Sequence, residues 1–405
     1  MLDATVRAQV KATAPVLQAH GLDLTRHFYA RMFRHNPELK ELFNQGHQRS
    51  GAQQQALAGA VAAYALHIDA PEVLMPVLER IAARHVSLGI RREHYAIVGR
   101  HLLASIGEVL GEAATPALVD AWAQAYGQLA DILIGLEQRQ YDATAAQPGG
   151  WSGWRSLRVR ARHEESAEIA SFELVPADGG PVPAFQPGQY VSVRVLLPQL
   201  GYRQPRQYSL SNAPGLDHLR ISVKREAGDD VRDEGQVSGH LHRQVQAGDV
   251  VEVSPPAGDF RLHTDRDTPV VLISAGVGIT PMMSMLAWLA REQPQRPVRF
   301  LHAARDAGVQ AFAGEVRALA ARCADARTFF VHETPAAAAG APTPDAIGRL
   351  MLADLQRDGL LPADADHWLC GPAGFMSAQR AALRALGVPD ARVHVEAFGT
   401  GGVAD

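Results

Sequence analysis

Four short stretches of the 405-residue sequence carry residue types at spacings that suit cofactor chemistry. Gly276-Val277-Gly278-Ile279-Thr280-Pro281 follows the apolar run Pro269-Val270-Val271-Leu272-Ile273-Ser274 and opens a helical pattern near Met282–Arg291. Glycines let backbone approach phosphate, and a helix N-terminus offers N–H donors and partial positive charge. A Gly-x-Gly alone is a weak signal, and the strand–turn–helix context is what gives it weight. Arg206-Gln207-Tyr208-Ser209-Leu210 joins a guanidinium able to fork onto a pyrophosphate to a ring and a hydroxyl able to pack and hydrogen-bond a flavin. Its plain alternative is an edge strand. His85 stands towards the end of the helical pattern Ile81-Ala82-Ala83-Arg84-His85-Val86, where a neutral imidazole suits axial ligation of haem iron. It is one of seventeen histidines, and any one of them alone is more often an ordinary surface or core residue. In Leu369-Cys370-Gly371-Pro372 a thiol ends a strand pattern at a turn, or is a buried strand cysteine and nothing more.

The elements that must position these groups change in texture along the chain. Up to about Tyr141 the pattern is helical: Leu24, Phe28 and Met32 recur at helical spacing, as do Leu118, Trp122, Leu129, Ile132 and Leu136. Pro37, Pro71 and Pro116 stand where new helices can begin. An all-α domain over residues 1–146 is expected. Residues 147–153, Gln147-Pro148-Gly149-Gly150-Trp151-Ser152-Gly153, read as a linker. Alternation then marks short strands at Leu157–Arg160, Tyr190–Val195, Leu219–Lys224 and Val250–Val253, which implies a small antiparallel β-barrel over 154–264. From 265 to 405, strand patterns at Pro269–Ser274, Val298–His302, Thr328–His332 and His367–Cys370 alternate with helical ones, so an α/β domain with a parallel sheet is expected. Ala336–Gly340 is a low-complexity patch of surface-loop type. The fold class is thus multidomain: all-α, then an antiparallel barrel, then α/β.

Composition narrows the function classes. The chain is 47% hydrophobic and 20% charged, values of a globular protein. A net charge of −4 without a basic stripe leaves nucleic-acid binding no electrostatic footprint. Two cysteines, Cys323 and Cys370, make neither a disulfide framework nor a zinc site. The first residues lack the apolar core of a signal peptide, and no apolar run nears the roughly 20 residues of a membrane span. A cytoplasmic location is expected.

Taken in order, the motifs resemble known families. Arg206-Gln207-Tyr208-Ser209 resembles the Arg-x-Tyr-Ser signature of ferredoxin reductase-like flavoproteins, and Phe185-Gln186-Pro187-Gly188-Gln189-Tyr190 the turn that sets Tyr190 against the flavin. Gly235-Gln236-Val237-Ser238 resembles the loop that presents N–H groups and a hydroxyl to the diphosphate. Read alone, Tyr190 is a barrel-face aromatic and Ser238 a helix N-cap. The resemblance assigns the nucleotide to Gly276, Gly278, Thr280 and Pro281, and to Cys370, Gly371 and Pro372, with the Cys370 thiol near the nicotinamide. In the tail Glu396-Ala397-Phe398-Gly399, Phe398 would cover the flavin ring with Glu396 beside it. The sequence continues Thr400-Gly401 where family members commonly have Pro.

The helical part resembles the globin domain of bacterial flavohaemoglobins, on Thr25-Arg26-His27-Phe28-Tyr29 and Asn36-Pro37-Glu38-Leu39-Lys40-Glu41-Leu42-Phe43-Asn44 with Gln53-Gln54-Gln55-Ala56-Leu57. The resemblance makes His85 the ligand of haem b iron and Phe43 the aromatic packed on the porphyrin. Tyr29, Gln53 and Leu57 become distal residues, and Tyr95 and Glu137 the proximal partners of His85. A carboxylate accepting from the imidazole would push electron density to iron. Arg84 stands where many relatives carry Lys.

The resemblance covers about Leu2 to Gly399 and implies a nitric oxide dioxygenase. NADH or NADPH would reduce FAD, FAD would reduce the haem, and nitric oxide with dioxygen would leave as nitrate. A monomer without an obligatory protein partner is implied, with entry of a lipid or azole into the distal pocket left open. Two other readings stand beside it: an oxygen carrier or sensor, and a flavin-dependent reductase of external acceptors such as quinones or ferric chelates. NADPH would need basic groups near the ribose phosphate, for which Arg305 is the candidate.

Overall fold

The structure is a computed structural model, and it describes residues 2–44, 48, 51–228, 234–335 and 343–398. The low-complexity patch Ala336–Gly340 and the tail residues Gly399, Thr400 and Gly401 lie outside the described residues. Two compact units emerge from the packing. One holds 1–147 with 151–154 and 194–206; the other holds 148–150, 155–193 and 207–405. The helical unit therefore takes in two pieces beyond the composition break at 147. Trp154 packs at the end of the helix that closes at Gly89, where an added Cβ would stand 2.9 Å from its indole Nε1, and the Arg194 guanidinium lies 4.4 Å over the Trp154 ring.

The helical unit contains α1 (Ala4–Ala12), α2 (Ala14–His35), α3 (Ala52–Leu66), α4 (Met75–Leu88), α5 (Arg92–Leu110) and α6 (Pro116–Ala145). Leu24, Phe28 and Met32 bury one stripe of α2, and Trp122 and Leu136 lie buried along α6. All three prolines begin helical turns. Pro116 opens α6 behind the Thr115 cap, whereas Pro37 and Pro71 open short 3₁₀ turns, Pro37–Glu41 and Pro71–Leu74. Thr25 ties α2 to α3 by donating its hydroxyl to the Gln54 carbonyl at 3.0 Å.

Strands β1 (Arg155–Glu164), β2 (Ile169–Pro176), β3 (Tyr190–Leu197), β4 (Tyr202–Ser209), β5 (Leu219–Lys224) and β6 (Val250–Val253) form one sheet in the order β4-β3-β6-β1-β2-β5. Its β1–β2, β1–β6 and β2–β5 pairs are antiparallel. Just past β4, Leu210 bridges Ile221 of β5, so the two end strands of the list approach each other as in a closing barrel. The helix α7 (Gln236–Gln244) is inserted before β6. Strands β2 and β4 were not among the sequence-derived strands. β2 is buried on nearly every residue and so shows no alternation to read.

The third region has a parallel sheet ordered β10-β9-β8-β7-β11-β12. Its strands are β7 (Val270–Ala275), β8 (Val298–Ala304), β9 (Ala326–His332), β10 (Ala346–Ile347), β11 (Asp366–Cys370) and β12 (Val393–Glu396). Helices α8 (Ile279–Glu292), α9 (Ala313–Ala320), α10 (Leu352–Arg357) and α11 (Ala373–Ala385) complete it. β7 is buried on all six residues. Val270 and Leu272 enter a core with Met282 and Leu286 of α8, while Val271 and Ile273 enter another with Leu383 of α11. That two-sided burial is why β7 reads as an unbroken apolar run. Among the described residues, no helix is long and apolar enough to cross a membrane.

Candidate functional site

In the helical unit three helices meet at His85. Its Nδ1 lies 2.7 Å from Glu137 Oε1 and 3.1 Å from the Tyr95 hydroxyl. Tyr95 also donates to Glu137 in a very short hydrogen bond. α4 supplies the imidazole, α5 the phenol and α6 the carboxylate. Glu137 is 3% exposed, so its charge is worth holding only because both donors reach it. Burial, together with the Glu137 carboxylate, pushes the Tyr95 phenol well above its ordinary range, so it stays a donor. The Tyr126 hydroxyl fixes Tyr95 from behind through a 2.7 Å bond to its carbonyl. A carboxylate accepting at Nδ1 assigns the proton to that nitrogen and leaves Nε2 with a lone pair for a metal.

A second group of side chains gathers around Tyr29, which is buried in α2. Its ring stands 5.9 Å from Phe33 and 5.7 Å from Phe43, with Phe28 4.9 Å away, edge to face. Leu57 packs into the same cluster. Burial raises the Tyr29 phenol well above its ordinary range, and the amides of Gln53 and Gln48 pull less strongly the other way. Tyr29, Phe43, Gln53 and Leu57 are thus brought together. Gln48 and Gln54 are additions that the sequence reading did not single out. Gln54 donates to the Gln48 side-chain oxygen at 3.0 Å, yet Gln48 Nε2 and Gln54 Oε1 are buried with no hydrogen-bond partner among the described residues. Buried amide atoms left unpaired beside a neutral phenol suit a site that receives a polar ligand. Together with the available His85 nitrogen, this fits a haem.

The barrel end collects the flavin-type residues. Tyr190 opens β3 and exchanges backbone hydrogen bonds of 2.8 and 2.9 Å with Ala257. A Cβ on Gly258 would lie 2.9 Å from the Tyr190 ring. Gly188, at φ +100°, passes so near Phe260 that a Cβ would stand 2.2 Å from its carbonyl oxygen, which explains the Pro-Gly turn before Tyr190. Arg206 and Tyr208 alternate with Ser209 along β4, which places the first two on one face and Ser209, buried, on the other. Gln236, Val237 and Ser238 form the first turn of α7, whose N-cap is Gly235. Ser238 is therefore not the N-cap. Its hydroxyl donates to the Gly235 carbonyl and accepts from Glu226 N–H at 3.3 Å.

In the parallel sheet, β7 is flanked by β8 on one side and β11 on the other, so the chain reverses direction across the sheet there. Ligands of such sheets bind outside the carboxyl ends of strands at this switch point. β7 ends at Gly276-Val277-Gly278 and β11 at Cys370-Gly371-Pro372, and the two turns touch. A Cβ on Gly278 would stand 2.2 Å from Cys370 O and 2.7 Å from Gly371 N. Thr280 and Pro281 are buried in the first turn of α8, with the Thr280 hydroxyl bonded to Val277 O at 2.9 Å. Burial drives the Cys370 thiol well above its usual range, and the Glu396 carboxylate paired with it in register adds to the effect. Cys370 is accordingly a neutral thiol. Phe398 is 47% exposed, two residues past the end of β12.

Family models match in the same order: Globin at residues 26–133, Oxidoreductase FAD-binding domain at 156–262 and Oxidoreductase NAD-binding domain at 272–381. Fold and site together define a globin joined to an NAD(P)H-dependent flavoprotein oxidoreductase. The chain is 60% identical over 406 residues to a flavohemoprotein of Bordetella bronchiseptica, covering 100% of both. A flavohemoglobin structure from Malassezia yamatoensis, with bound FAD and heme, superposes with a TM-score of 0.85 at 29% identity, covering 98% of this chain and 100% of that one. The FAD/NAD-binding domain of a nitric oxide dioxygenase from Vibrio cholerae matches at a TM-score of 0.54 and 44% identity, over 60% of this chain and 98% of that one. The chain belongs to the flavohaemoglobin (flavohemoprotein) family.

Proposed function

We propose that the protein is a nitric oxide dioxygenase that spends NAD(P)H to convert nitric oxide and dioxygen to nitrate. The observation that carries this is the His85–Glu137–Tyr95 cluster, on a chain that also holds FAD- and NAD-binding domains. Haem would supply dioxygen binding and oxidising power, and FAD with the nucleotide would supply electrons. The residues do the rest. His85 holds the iron through Nε2, and Glu137, accepting from Nδ1, fixes the ring and gives it imidazolate character. An oxygen store needs no such push. Tyr95 donates to the carboxylate and keeps it from wandering. Tyr29 stays protonated, a donor packed among Phe33, Phe43 and Leu57, with Gln53 as a second donor. Arg206 and the first turn of α7 hold the flavin diphosphate, with Tyr190 and Tyr208 against the ring. The Gly276–Gly278 turn and the α8 N-terminus would receive the nucleotide, with the neutral Cys370 thiol on the side of its nicotinamide.

The direct test is NADH-dependent nitric oxide consumption in air with nitrate as product, by protein showing both a Soret band and flavin absorption. Nitrate formation matched to nucleotide oxidation is expected. Undiminished nucleotide oxidation by haem-free protein with quinone or ferric acceptors, without nitrate, would favour a plain reductase instead.

A further inference from the structure

The barrel and the parallel-sheet region belong to one compact unit, and a short segment just past the flavin-type strand is tied to both. Ser211 stands two residues beyond Ser209, the end of β4. Its N–H donates to the Arg220 carbonyl at 2.8 Å, and its hydroxyl meets that of Ser222 at 2.7 Å. Asn212 follows, its side-chain oxygen accepting from Arg220 N–H at 2.8 Å. These bonds root the segment in β5 of the barrel. Two further ties root it in the region that carries the nucleotide turn. Ser284, buried in the second turn of α8, donates its hydroxyl to the Asn212 carbonyl at 2.7 Å. The Arg220 guanidinium donates to the Ser211 carbonyl at 2.6 Å and to its hydroxyl at 3.1 Å, and forks onto the Glu315 carboxylate of α9 at 2.9 and 3.0 Å. A forked pair of this kind fixes direction as well as distance. The same guanidinium lies 5.2 Å over the ring of Phe312, the N-cap of α9. At φ 61° Phe312 is the one non-glycine residue with a left-handed backbone among the described residues. Such a conformation persists only where its surroundings impose it, and Arg220 is part of those surroundings.

We propose that Arg220 is a positioning residue for flavin reduction. By gripping Ser211 and Glu315 at once it locks the strand that carries Arg206, Tyr208 and Ser209 to the first two helices of the nucleotide-type region, and so fixes how the nicotinamide meets the flavin. Ser284 is the second pin of the same joint. The inference rests on the flavin and nucleotide sites proposed above. The step it serves breaks the C4–H bond of the dihydronicotinamide and forms the N5–H bond of the flavin, two electrons and one proton moving as a hydride. Such a transfer needs its reacting atoms about 3–3.5 Å apart, and a misplacement near 1 Å can cost about 100-fold. Arg220 itself uses nearly all its donors on Ser211 and Glu315, which makes it a tie within the protein and not a ligand contact.

The test uses full-length holoprotein and begins with Glu315→Ala, which cuts the tie at α9 and leaves the Ser211 bonds in place. Calorimetry with ADP-ribose reads the nucleotide cradle without the nicotinamide, and FAD content reads the flavin site. Anaerobic stopped-flow reads the limiting rate of flavin reduction at saturating NADH. The long-wavelength charge-transfer absorbance of the reduced flavin with NAD⁺ reads how the rings meet. The limiting rate is expected to fall about tenfold and the charge-transfer band to weaken, with ADP-ribose affinity within about twofold and FAD content unchanged. Arg220→Ala should do the same. Combining it with Glu315→Ala should be no worse than Arg220→Ala alone, because residues of one network do not add. Wild-type rate and band in Glu315→Ala, losses that multiply in the double variant, or a rate that falls only as far as FAD content and ADP-ribose affinity fall would each overturn the proposal. A wild type that binds no ADP-ribose would instead refute the underlying nucleotide-site reading.

Discussion

The helical unit and the parallel-sheet region build their sites from different material. Around His85 and Tyr29 the candidate site is made of side chains from helices far apart in sequence, tied by hydrogen bonds such as His85–Glu137 at 2.7 Å. At the ends of β7 and β11 the cradle is backbone, and its defining feature is a missing side chain: a Cβ at Gly278 would meet Cys370 O at 2.2 Å. The two designs should fail differently. Trimming a side chain in the first leaves a pocket that works less well, whereas adding one carbon to the second obstructs it outright.

The largest effect is thus expected from Gly278→Ala, which should slow flavin reduction by NADH at least about 100-fold, since a shift near 1 Å at a positioning element can cost that much. The Soret band should persist, and stopped-flow reduction at wild-type speed would erase the contrast between the regions. Glu137→Gln should lower nitrate-forming turnover by about 10- to 100-fold, the usual cost of losing a ligand's hydrogen-bond partner. Flavin reduction by NADH should remain unchanged, and equal loss of both activities would contradict the division of labour. Tyr29→Phe comes next, speeding dioxygen release about tenfold for one lost donor, measured by stopped-flow.

The most gradual difference concerns acid. Burial holds His302 at about 3 and His367 at about 4, far below the ordinary 6.5. Both are neutral when folded and take up protons when unfolded. Their contribution is full above pH 6.5 and is lost as pH falls through that value towards their folded pKa values, at about 1.4 kcal/mol per pH unit each. Calorimetry should show the reductase transition falling steadily between pH 7 and pH 5. A flat profile there would show that these histidines are not buried as described.

The same contrast governs what could be read in the sequence. Backbone-built sites leave contiguous marks, so Gly276–Gly278 and Cys370–Pro372 stood out, and β7 announced itself by an apolar run buried on both faces. The meeting of those turns was not legible, because it depends on β11 lying beside β7. His85, Tyr95 and Glu137 lie on three helices and could be joined only through family resemblance. Gln48 and Gln54 escaped because a polar residue near the turn of a helical pattern looks like solvent-facing surface until burial is known. Likewise Arg305 looked like a phosphate-binding group, its partner Glu168 lying 137 residues away in another domain.

The central claim is that electrons pass from nucleotide to flavin to an iron held by His85. Mixing fully oxidised holoprotein with NADH in the absence of oxygen and following both chromophores tests it most directly. Flavin bleaching should come first, and the shift of the Soret band should follow at a rate independent of NADH concentration. A Soret shift that precedes flavin bleaching, or one that never occurs while the flavin is fully reduced, would contradict it.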